Sequence, residues 1–458
     1  ILVLFAFCIG AILITIKDTY ALASKEALLI NVIILFLYVF FFLLGKYFKT
    51  YRNIFFFALI LVTSIDCIES LNYGLQVSQI ADNFYSSTKE IDESISTIKN
   101  YDNSLFYRIE NPNNHTLNDS AKSFYNGVTT FSSMAYQDMA ELQRYLGNQG
   151  NNINSYMYVD QTPIYDMMFN VKYMIGSRID NQRYELIKPN SNITKFNYSL
   201  GLAFGVNKDV LNWEYTNNNP VYVQNDFVEK ATHIDNVFNP LTLVDEEEIQ
   251  NDTLKVIKYT YLNPKEISYI YWNTSSISFI KIGNDLYARD DYYTNCYYLD
   301  SYNYNNYNDE HIVGFSSEED YIEILIGYNY YTDNIIHPYY LDSNKFEQVY
   351  NNLKNNTLTL TTFEEDKIVG QVYLDDDSVM YTSIPYDEGW NVYVNDMKVN
   401  TYSLGNSLLA FDVSKGLNKI EFRYRIPKLK IGLIISTISL AIIFQLFYIE
   451  KKKKVTRK

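Results

Sequence analysis

Residues 27–45 read ALLINVIILFLYVFFFLLG, nineteen positions without a charged side chain. About 20 apolar residues in a helix span the hydrocarbon core of a bilayer, so this stretch predicts a transmembrane helix. A second uncharged stretch of the same length, IGLIISTISLAIIFQLFYI, occupies residues 431–449. It predicts another span near the end of the chain. The pattern therefore indicates a membrane protein with α-helical spans.

Two shorter apolar runs lie near the first span. Residues 54–68 predict a third span, which closes at the membrane surface through Asp66, Glu69 and Asn72. Residues 1–16 predict a fourth, although they cover roughly 24 Å as a helix, short of the ~30 Å core. They also lack the basic start and the cleavage site of a signal peptide. We therefore expect the chain to be the C-terminal part of a larger membrane protein.

Basic residues predict the orientation of the spans. The tail 451–458 (KKKKVTRK) and the loop 46–52 (KYFKTYR) are expected to be cytoplasmic, because Lys and Arg favour that side. Residues 70–427 are then extracytoplasmic. This region carries 25 Lys or Arg against 48 Asp or Glu, whereas the rest of the chain carries 13 against 5. Its acidity excludes nucleic acid as a partner, since phosphates require a basic face.

The extracytoplasmic region divides into two parts by residue pattern. Residues 70–220 mix helical and strand periodicity, which predicts an α/β layer. A helix is expected over 132–147, with Ser132 or Ser133 as its N-cap. Residues 221–427 alternate between apolar and polar positions in many short runs, which predicts an antiparallel β-sandwich. The predicted order is spans over 1–69, the α/β region, the sandwich, a span over 428–450 and the tail 451–458.

Asp66, Glu69 and Asn72 form the first candidate site. An ionisable residue at the end of a span is able to bind a cation or a lipid headgroup. Alternatively, it is a helix-end carboxylate that reaches water. The residues alone leave both interpretations open.

A polar block between residues 118 and 133 forms the second candidate site. Amides, carboxylates and hydroxyls suit the recognition of sugar hydroxyls, and Gly127 permits a turn with positive φ. The alternative is structural, with Asn118 and Asp119 in an Asx turn and Ser132 as a helix cap. The candidates in this block are Asn118, Asp119, Tyr125, Asn126, Gly127, Ser132 and Ser133.

Trp390 is a third candidate, because an aromatic face on a sandwich strand is able to stack on a pyranose ring. The alternative is that it fills the sandwich core. The four histidines are scattered without metal-ligand spacing, so no metal site is predicted. No cofactor motif is evident, and a divalent cation is the one cofactor left open.

Several segments in chain order resemble the YfhO family of bacterial membrane proteins. The similarity covers most of residues 54–449. The segments that carry it include FYNGVTTFSS (124–133), TPIYDMMFNVKYMIG (162–176) and SIPYDEGWNVYVNDMKV (383–399).

The resemblance implies a multi-pass C-type glycosyltransferase of the bacterial plasma membrane, with a large extracytoplasmic domain. The implied partners are membrane lipid, a polyprenyl-phosphate sugar as donor, and an envelope glycopolymer such as lipoteichoic acid as acceptor. The family's catalytic acidic residue is expected in the first large outer loop, so we expect no catalytic residue in this chain. The alternative function is a non-catalytic, membrane-anchored protein that binds glycans or supports assembly.

Overall fold

The computed structural model describes residues 25–77, 81–249, 255–272, 277–288, 303–306, 311–328 and 338–455. The chain divides into two compact units between Ser87 and Thr88. The span predicted over 1–16 and the end of the basic tail, 456–458, lie outside the described residues.

The first unit contains a pair of apolar helices, α1 (Lys25–Tyr47) and α2 (Arg52–Val77), joined by the 3₁₀ turn Lys49–Tyr51. Both are long and apolar enough to cross a membrane. Helix α2 does not end near Asp66 but continues to Val77, and closure of the span at the membrane surface through Asp66, Glu69 and Asn72 stays a prediction. Residues 67–77 contain no proline and only one glycine, so nothing in them interrupts the helical hydrogen bonds.

The remaining helices belong mainly to the second unit, with α3 crossing the division. They are α3 (Ala81–Tyr101), α4 (Asp119–Lys122), α5 (Gln137–Tyr145), α6 (Pro163–Phe169), α7 (Pro220–Thr232), α8 (Ser343–Leu353) and α9 (Leu429–Val455).

The strands of the second unit are short and numerous, as the alternating pattern predicts. In chain order they are β1 (Arg108–Glu110), β2 (Thr130–Phe131), β3 (Gln149–Gly150), β4 (Ser155–Met157), β5 (Val171–Ile175), β6 (Tyr184–Leu186), β7 (Ile193–Phe196), β8 (Ala203–Val206), β9 (Phe238–Pro240), β10 (Leu243–Ile249), β11 (Lys255–Leu262), β12 (Ser268–Trp272), β13 (Ile277–Ile282), β14 (Asp285–Ala288), β15 (Asn303–Asn306), β16 (His311–Phe315), β17 (Tyr321–Tyr328), β18 (Tyr339–Leu341), β19 (Thr359–Phe363), β20 (Lys367–Leu374), β21 (Ser378–Pro385), β22 (Trp390–Val394), β23 (Met397–Lys398), β24 (Thr401–Leu404), β25 (Leu408–Val413) and β26 (Gly416–Tyr424).

Helix α3 packs on a mixed sheet with the strand order β1-β5-β7-β6, in which β1 and β5 are parallel. Ile91, Ile95 and Ile98 recur at helical spacing and are buried against Tyr173 and Ile193 of this sheet. Burying each isoleucine stabilises the layer by about 1.5–3 kcal/mol. A small sheet, β2-β4-β3, lies in the same part of the chain.

Sheets that are antiparallel except for the parallel pair β14 and β15 fill the later part of the second unit, which confirms the prediction of a β-rich region. The sheets β19-β20-β26-β22-β23 and β24-β25-β21-β8 share a core around Phe411 and Phe422. The sheets β10-β11-β17-β13-β14-β15 and β16-β12-β18-β9 share a second core around Trp272.

The early strand β8 pairs with β21, so one sheet contains residues from both sides of the predicted boundary at 220/221. Arg108 of β1 also donates hydrogen bonds to the Ser383 hydroxyl at 2.8 Å and to its carbonyl at 2.9 Å. Residues 88–458 form one compact unit. The chain then enters α9, whose residues 429–449 are the third stretch long and apolar enough to cross a membrane.

Candidate functional site

A polar cavity of about 530 Å³ lies in the second unit, between the end of α3 and the segment 120–126. It brings together Tyr125 and Asn126 of the predicted polar block with residues that sequence reasoning did not single out. Its polar lining consists of Lys99, Asp102, Asn103, Ser104, Tyr107, Ser120, Tyr125 and Asn126.

The Asp102 carboxylate is held by neighbouring donors. Lys172 Nζ donates at 2.6 Å and Tyr173 Oη at 2.8 Å to one oxygen, while the Ser104 backbone N–H donates at 2.8 Å to the other. Partial burial raises the pKa of Asp102, but these hydrogen bonds outweigh burial and hold the pKa far below its ordinary value. The group is therefore a fixed acceptor at neutral pH and a poor general base.

Lys99 and Phe124 both line the cavity and contact each other. Lys99 Nζ donates a 3.0 Å hydrogen bond to the Phe124 carbonyl. Phe124 has a left-handed backbone, with φ of 53°, and its side chain is 83% exposed. An exposed aromatic ring beside a cation and hydroxyl groups offers both an apolar surface and polar partners to a ligand.

Glu110 supports the wall of the cavity from within the protein. It is buried and accepts hydrogen bonds from the backbone N–H groups of Val128 and Thr129 and from the Thr129 hydroxyl at 2.9 Å. Burial raises the pKa of Glu110 to about 7, although these hydrogen bonds oppose the rise. Burial also raises the pKa of Tyr125, which remains a neutral phenol.

Gly127 does not adopt the positive φ that the sequence suggested. Its role is close packing, since a Cβ at this position would lie 3.0 Å from the Ser120 Cβ and 3.3 Å from Glu110 Oε1. The prediction of a left-handed turn is wrong here, and Phe124 has the left-handed backbone instead.

The side-chain oxygens of Asn118 and Asp119 accept hydrogen bonds from neighbouring residues of the protein itself. Asp119 is buried and accepts from the N–H of His115 at 2.8 Å and from the N–H and hydroxyl of Thr116 at 3.1 and 2.8 Å. Asn118 Oδ1 accepts from the Phe131 N–H at 3.0 Å. These contacts favour the structural interpretation of this pair over sugar recognition.

Ser132 and Ser133 do not cap a helix. Helix α5 begins at Gln137, and its N-cap Tyr136 makes no side-chain capping bond. Ser132 Oγ instead accepts from the Met134 N–H at 3.1 Å, while Ser133 is exposed. The cap prediction is wrong because residues 130–131 pair as strand β2, which delays the start of the helix.

Trp390 lies at the start of β22 and is partly buried against one of the antiparallel cores. Its ring packs edge-on against Tyr424 at 5.1 Å and Phe422 at 6.5 Å between centroids. These contacts favour packing, and stacking on a sugar ring stays a prediction.

In the first unit, Asp66 faces the neighbouring helix. The Tyr38 hydroxyl of α1 lies 3.3 Å from Asp66 Oδ2 and 3.1 Å from Thr63 Oγ1 of α2. Glu69 follows three positions later, hence on a neighbouring part of the same helix face. Asn72 belongs to α2 as well, and its side chain lies outside the described part of the structure.

The segment 162–176, which carries much of the family resemblance, builds the core. Thr162 Oγ1 caps α6 by accepting from the Tyr165 N–H at 3.2 Å, and Asn170 ends the helix in a left-handed conformation. Asp166 is fully buried and accepts from Arg178 at 3.0 Å and from the Tyr158 hydroxyl at 2.8 Å. Burial raises the pKa of Asp166 to about 6, against the opposing charge of Arg178.

Across the described residues, no group of three or more His, Cys, Asp or Glu side chains is arranged to hold a metal ion.

The three apolar helices and the β-rich region between α2 and α9 define a membrane-associated protein with a large region outside the apolar segments. The chain belongs to the YfhO family, since the family model described as bacterial membrane protein YfhO matches residues 1–436.

A curated relative is the uncharacterized protein YfhO of Bacillus subtilis (strain 168), which is 31% identical over 115 residues. The aligned part amounts to 24% of this chain and 13% of that protein's length. No solved structure matches this chain.

Proposed function

We propose that this chain is the C-terminal part of a YfhO-type envelope glycosyltransferase of the bacterial plasma membrane. In this proposal residues 70–427 are extracytoplasmic, and the polar cavity binds the sugar-bearing acceptor polymer, such as lipoteichoic acid. A polyprenyl-phosphate sugar is the donor. The whole enzyme's activity is carried over from the family resemblance.

The proposed binding role rests on one observation, that a cation, hydroxyl groups, an amide and an aromatic ring line the same cavity. Lys99 supplies a cation, Tyr125 and Ser104 supply hydroxyls, and Asn126 supplies an amide. Phe124 adds an exposed aromatic surface beside them. Sugar polymers present hydroxyls around apolar ring faces, so this set of groups matches both parts of such a ligand.

Binding is tested with the chain in lipid nanodiscs and purified lipoteichoic acid as the probe. Replacing Phe124 by Ala removes the aromatic surface without opening the core, because the side chain is 83% exposed. We expect affinity to fall by about 1 kcal/mol, or roughly fivefold in Kd. Lys99→Gln is expected to act in the same direction.

Matched controls are Tyr373→Ala, which removes an aromatic residue 56% exposed on β20, and Lys415→Gln, which removes an exposed cation. Both should leave binding unchanged. Equal losses in all four variants, or in none, would contradict a binding role for the cavity.

The alternative, a non-catalytic glycan-binding or assembly protein, is favoured by the state of Asp102. Its carboxylate lines the cavity but is held ionised by Lys172, Ser104 and Tyr173, so it is poorly suited to accept the acceptor's proton. We therefore expect this chain to transfer no sugar when a polyprenyl-phosphate sugar is supplied in lipid. Transfer would contradict the expectation, and Asp66→Asn would then be the first variant to assay.

A further inference from the structure

A set of exposed apolar and aromatic residues lies in the second unit near the residues that precede α9. The segment 130–136 carries Met134, which is 88% exposed, together with Phe131 at 46% and Tyr136 at 45%. Exposed side chains of this size cost free energy in water, so a cluster of them indicates a surface that is covered in the working protein.

Hydrogen bonds join this segment to the end of the β-rich region. The Tyr136 hydroxyl donates to Asp387 Oδ2 at 2.6 Å, and the Asp387 carbonyl accepts from the Trp390 N–H at 3.0 Å. The Arg425 N–H donates to the Gly389 carbonyl at 2.8 Å. The segment 130–136 is thereby fixed beside the residues that lead into α9.

The chain itself limits how far this surface lies from the proposed membrane span. Tyr424, whose ring packs on Trp390, is five positions before Leu429, where α9 begins. Five residues extend over at most ~18 Å, and less when folded. Ile426, 62% exposed, lies between them.

The composition of the surface matches the interface between lipid and water. Tyr and Trp are enriched at the level of lipid headgroups, because their rings are apolar and their edges polar. Arg425, Lys428 and Lys430 surround the beginning of α9 and are able to pair with lipid phosphates. Most of the remaining surface charge of residues 70–427 is acidic and offers no such pairing.

We propose that the segment Phe131–Tyr136 inserts into the headgroup region of the outer leaflet, beside α9. The occupant of this surface is the phospholipid bilayer, and we expect Met134, the most exposed side chain of the segment, to reach deepest. The inference rests on the proposed topology, in which α9 spans the membrane with residues 70–427 outside. It adds a second, peripheral contact that fixes the segment 130–136 against the membrane surface.

The test uses the whole chain, without native cysteines, in nanodiscs of phosphatidylcholine and phosphatidylglycerol. A single Met134→Cys is labelled with an environment-sensitive fluorophore, and lipids brominated on the acyl chain near the headgroup serve as quenchers. The expected result is a blue-shifted emission that the brominated lipids quench. Labelling leaves the core intact, because Met134 is 88% exposed.

Met397→Cys is the matched control. It replaces another exposed methionine, 70% exposed, in β23, which pairs with the far end of β22 from Trp390. The length of β22 separates the two ends by roughly 13 Å. The label at 397 is expected to emit as in water and to remain unquenched.

A label at Ile442→Cys in α9 separates failure of this inference from failure of the topology. If the label at 442 is quenched and the label at 134 emits as in water, the membrane contact of the segment is refuted, whereas α9 is still supported as a span. A label at 134 that is blue-shifted but not quenched would also overturn it, since another protein copy would then cover the segment. Absence of quenching at 442 would refute the proposed span and with it this inference.

Discussion

The Tyr136 hydroxyl donates a 2.6 Å hydrogen bond to the Asp387 carboxylate, although the two residues are 251 positions apart in the chain. The bond joins the segment just after the polar block to the turn that precedes Trp390. Burial and the neighbouring Asp387 carboxylate both raise the pKa of Tyr136 above its ordinary value, so the phenol stays a donor at all physiological pH values.

Replacing Tyr136 by Phe removes this donor and keeps the ring. We expect the free energy of unfolding to fall by about 1 kcal/mol and amide exchange to quicken in residues 130–136. Hydrogen exchange followed by mass spectrometry measures the second effect. Tyr373→Phe, on an exposed strand position, is the control, and similar exchange in both variants would contradict the role given to this bond.

Glu110 predicts a pH dependence of stability. Its folded-state pKa of about 7 is above the ordinary 4.5, so the folded protein binds this proton more tightly than the unfolded chain. The resulting stabilisation is fully present below pH 4.5 and is lost as the pH rises through 7, by up to roughly 3 kcal/mol.

Glu110→Gln keeps an acceptor oxygen and removes the titration. Its Tm is therefore expected to fall less than that of the unmodified protein between pH 5 and pH 8. Asp166 titrates in a similar range in both proteins, so the difference between the two curves isolates Glu110. Parallel curves would show that the Glu110 proton is not linked to folding.

Asp119 distinguishes the two interpretations of the polar block. Asp119→Ala removes the acceptor of three hydrogen bonds from His115 and Thr116, and we expect a loss of about 2 kcal/mol in unfolding free energy. Binding of lipoteichoic acid at low temperature should persist. Loss of binding with an unchanged Tm would instead support recognition by this residue.

The proposed topology predicts the accessibility of two engineered cysteines. In a cysteine-free variant in intact protoplasts, Met397→Cys should react with a membrane-impermeant maleimide, whereas Val455→Cys should react only after lysis. The reason is the basic sequence KKKK at 451–454, next to an apolar helix. Labelling at 455 without lysis would reverse the assigned orientation.

The net negative charge of residues 70–427 predicts how the affinity for an anionic polymer depends on salt. Residues 70–427 carry 48 acidic against 25 basic side chains, so they repel phosphate-bearing lipoteichoic acid at low ionic strength. We expect its affinity to rise when salt or Mg²⁺ is added, because both weaken this repulsion. Titrations with and without Mg²⁺ measure the effect, and a steep fall of affinity with salt would contradict it.

The sequence predicted those features that depend on local pattern. Residues 367–374 and 418–424 belong to the alternating region 221–427 and form β20 and most of β26, and the uncharged runs 27–45 and 431–449 lie within α1 and α9. Ile91, Ile95 and Ile98 of α3 recur at helical spacing, as part of the helical periodicity of residues 70–220. Each of these signals lies within about 25 consecutive residues.

The cavity could be predicted only in part, because some of its residues are held in place by residues that are far away in the sequence. Tyr125 and Asn126 were singled out by residue type, but Asp102 is fixed by Lys172, 70 positions away, and no local pattern joins them. Asp166 did leave a signal, as a lone carboxylate in the apolar run 162–176. Such a residue requires a buried partner, which the fold supplies as Arg178.

The pairing of β8 with β21 constrains the order in which the protein folds while it is being synthesised. In the proposed topology Ala203–Val206 is exported before Ser378–Pro385 is synthesised, so the pairing of β8 with β21 forms only after residue 378 has been made. Long-range pairing of this kind slows folding and exposes strand edges to other chains. If residues 70–427 are extracytoplasmic as proposed, their first half requires protection outside the membrane until then, and arrest of translation before residue 378 would leave a fragment that is unable to complete its sheet.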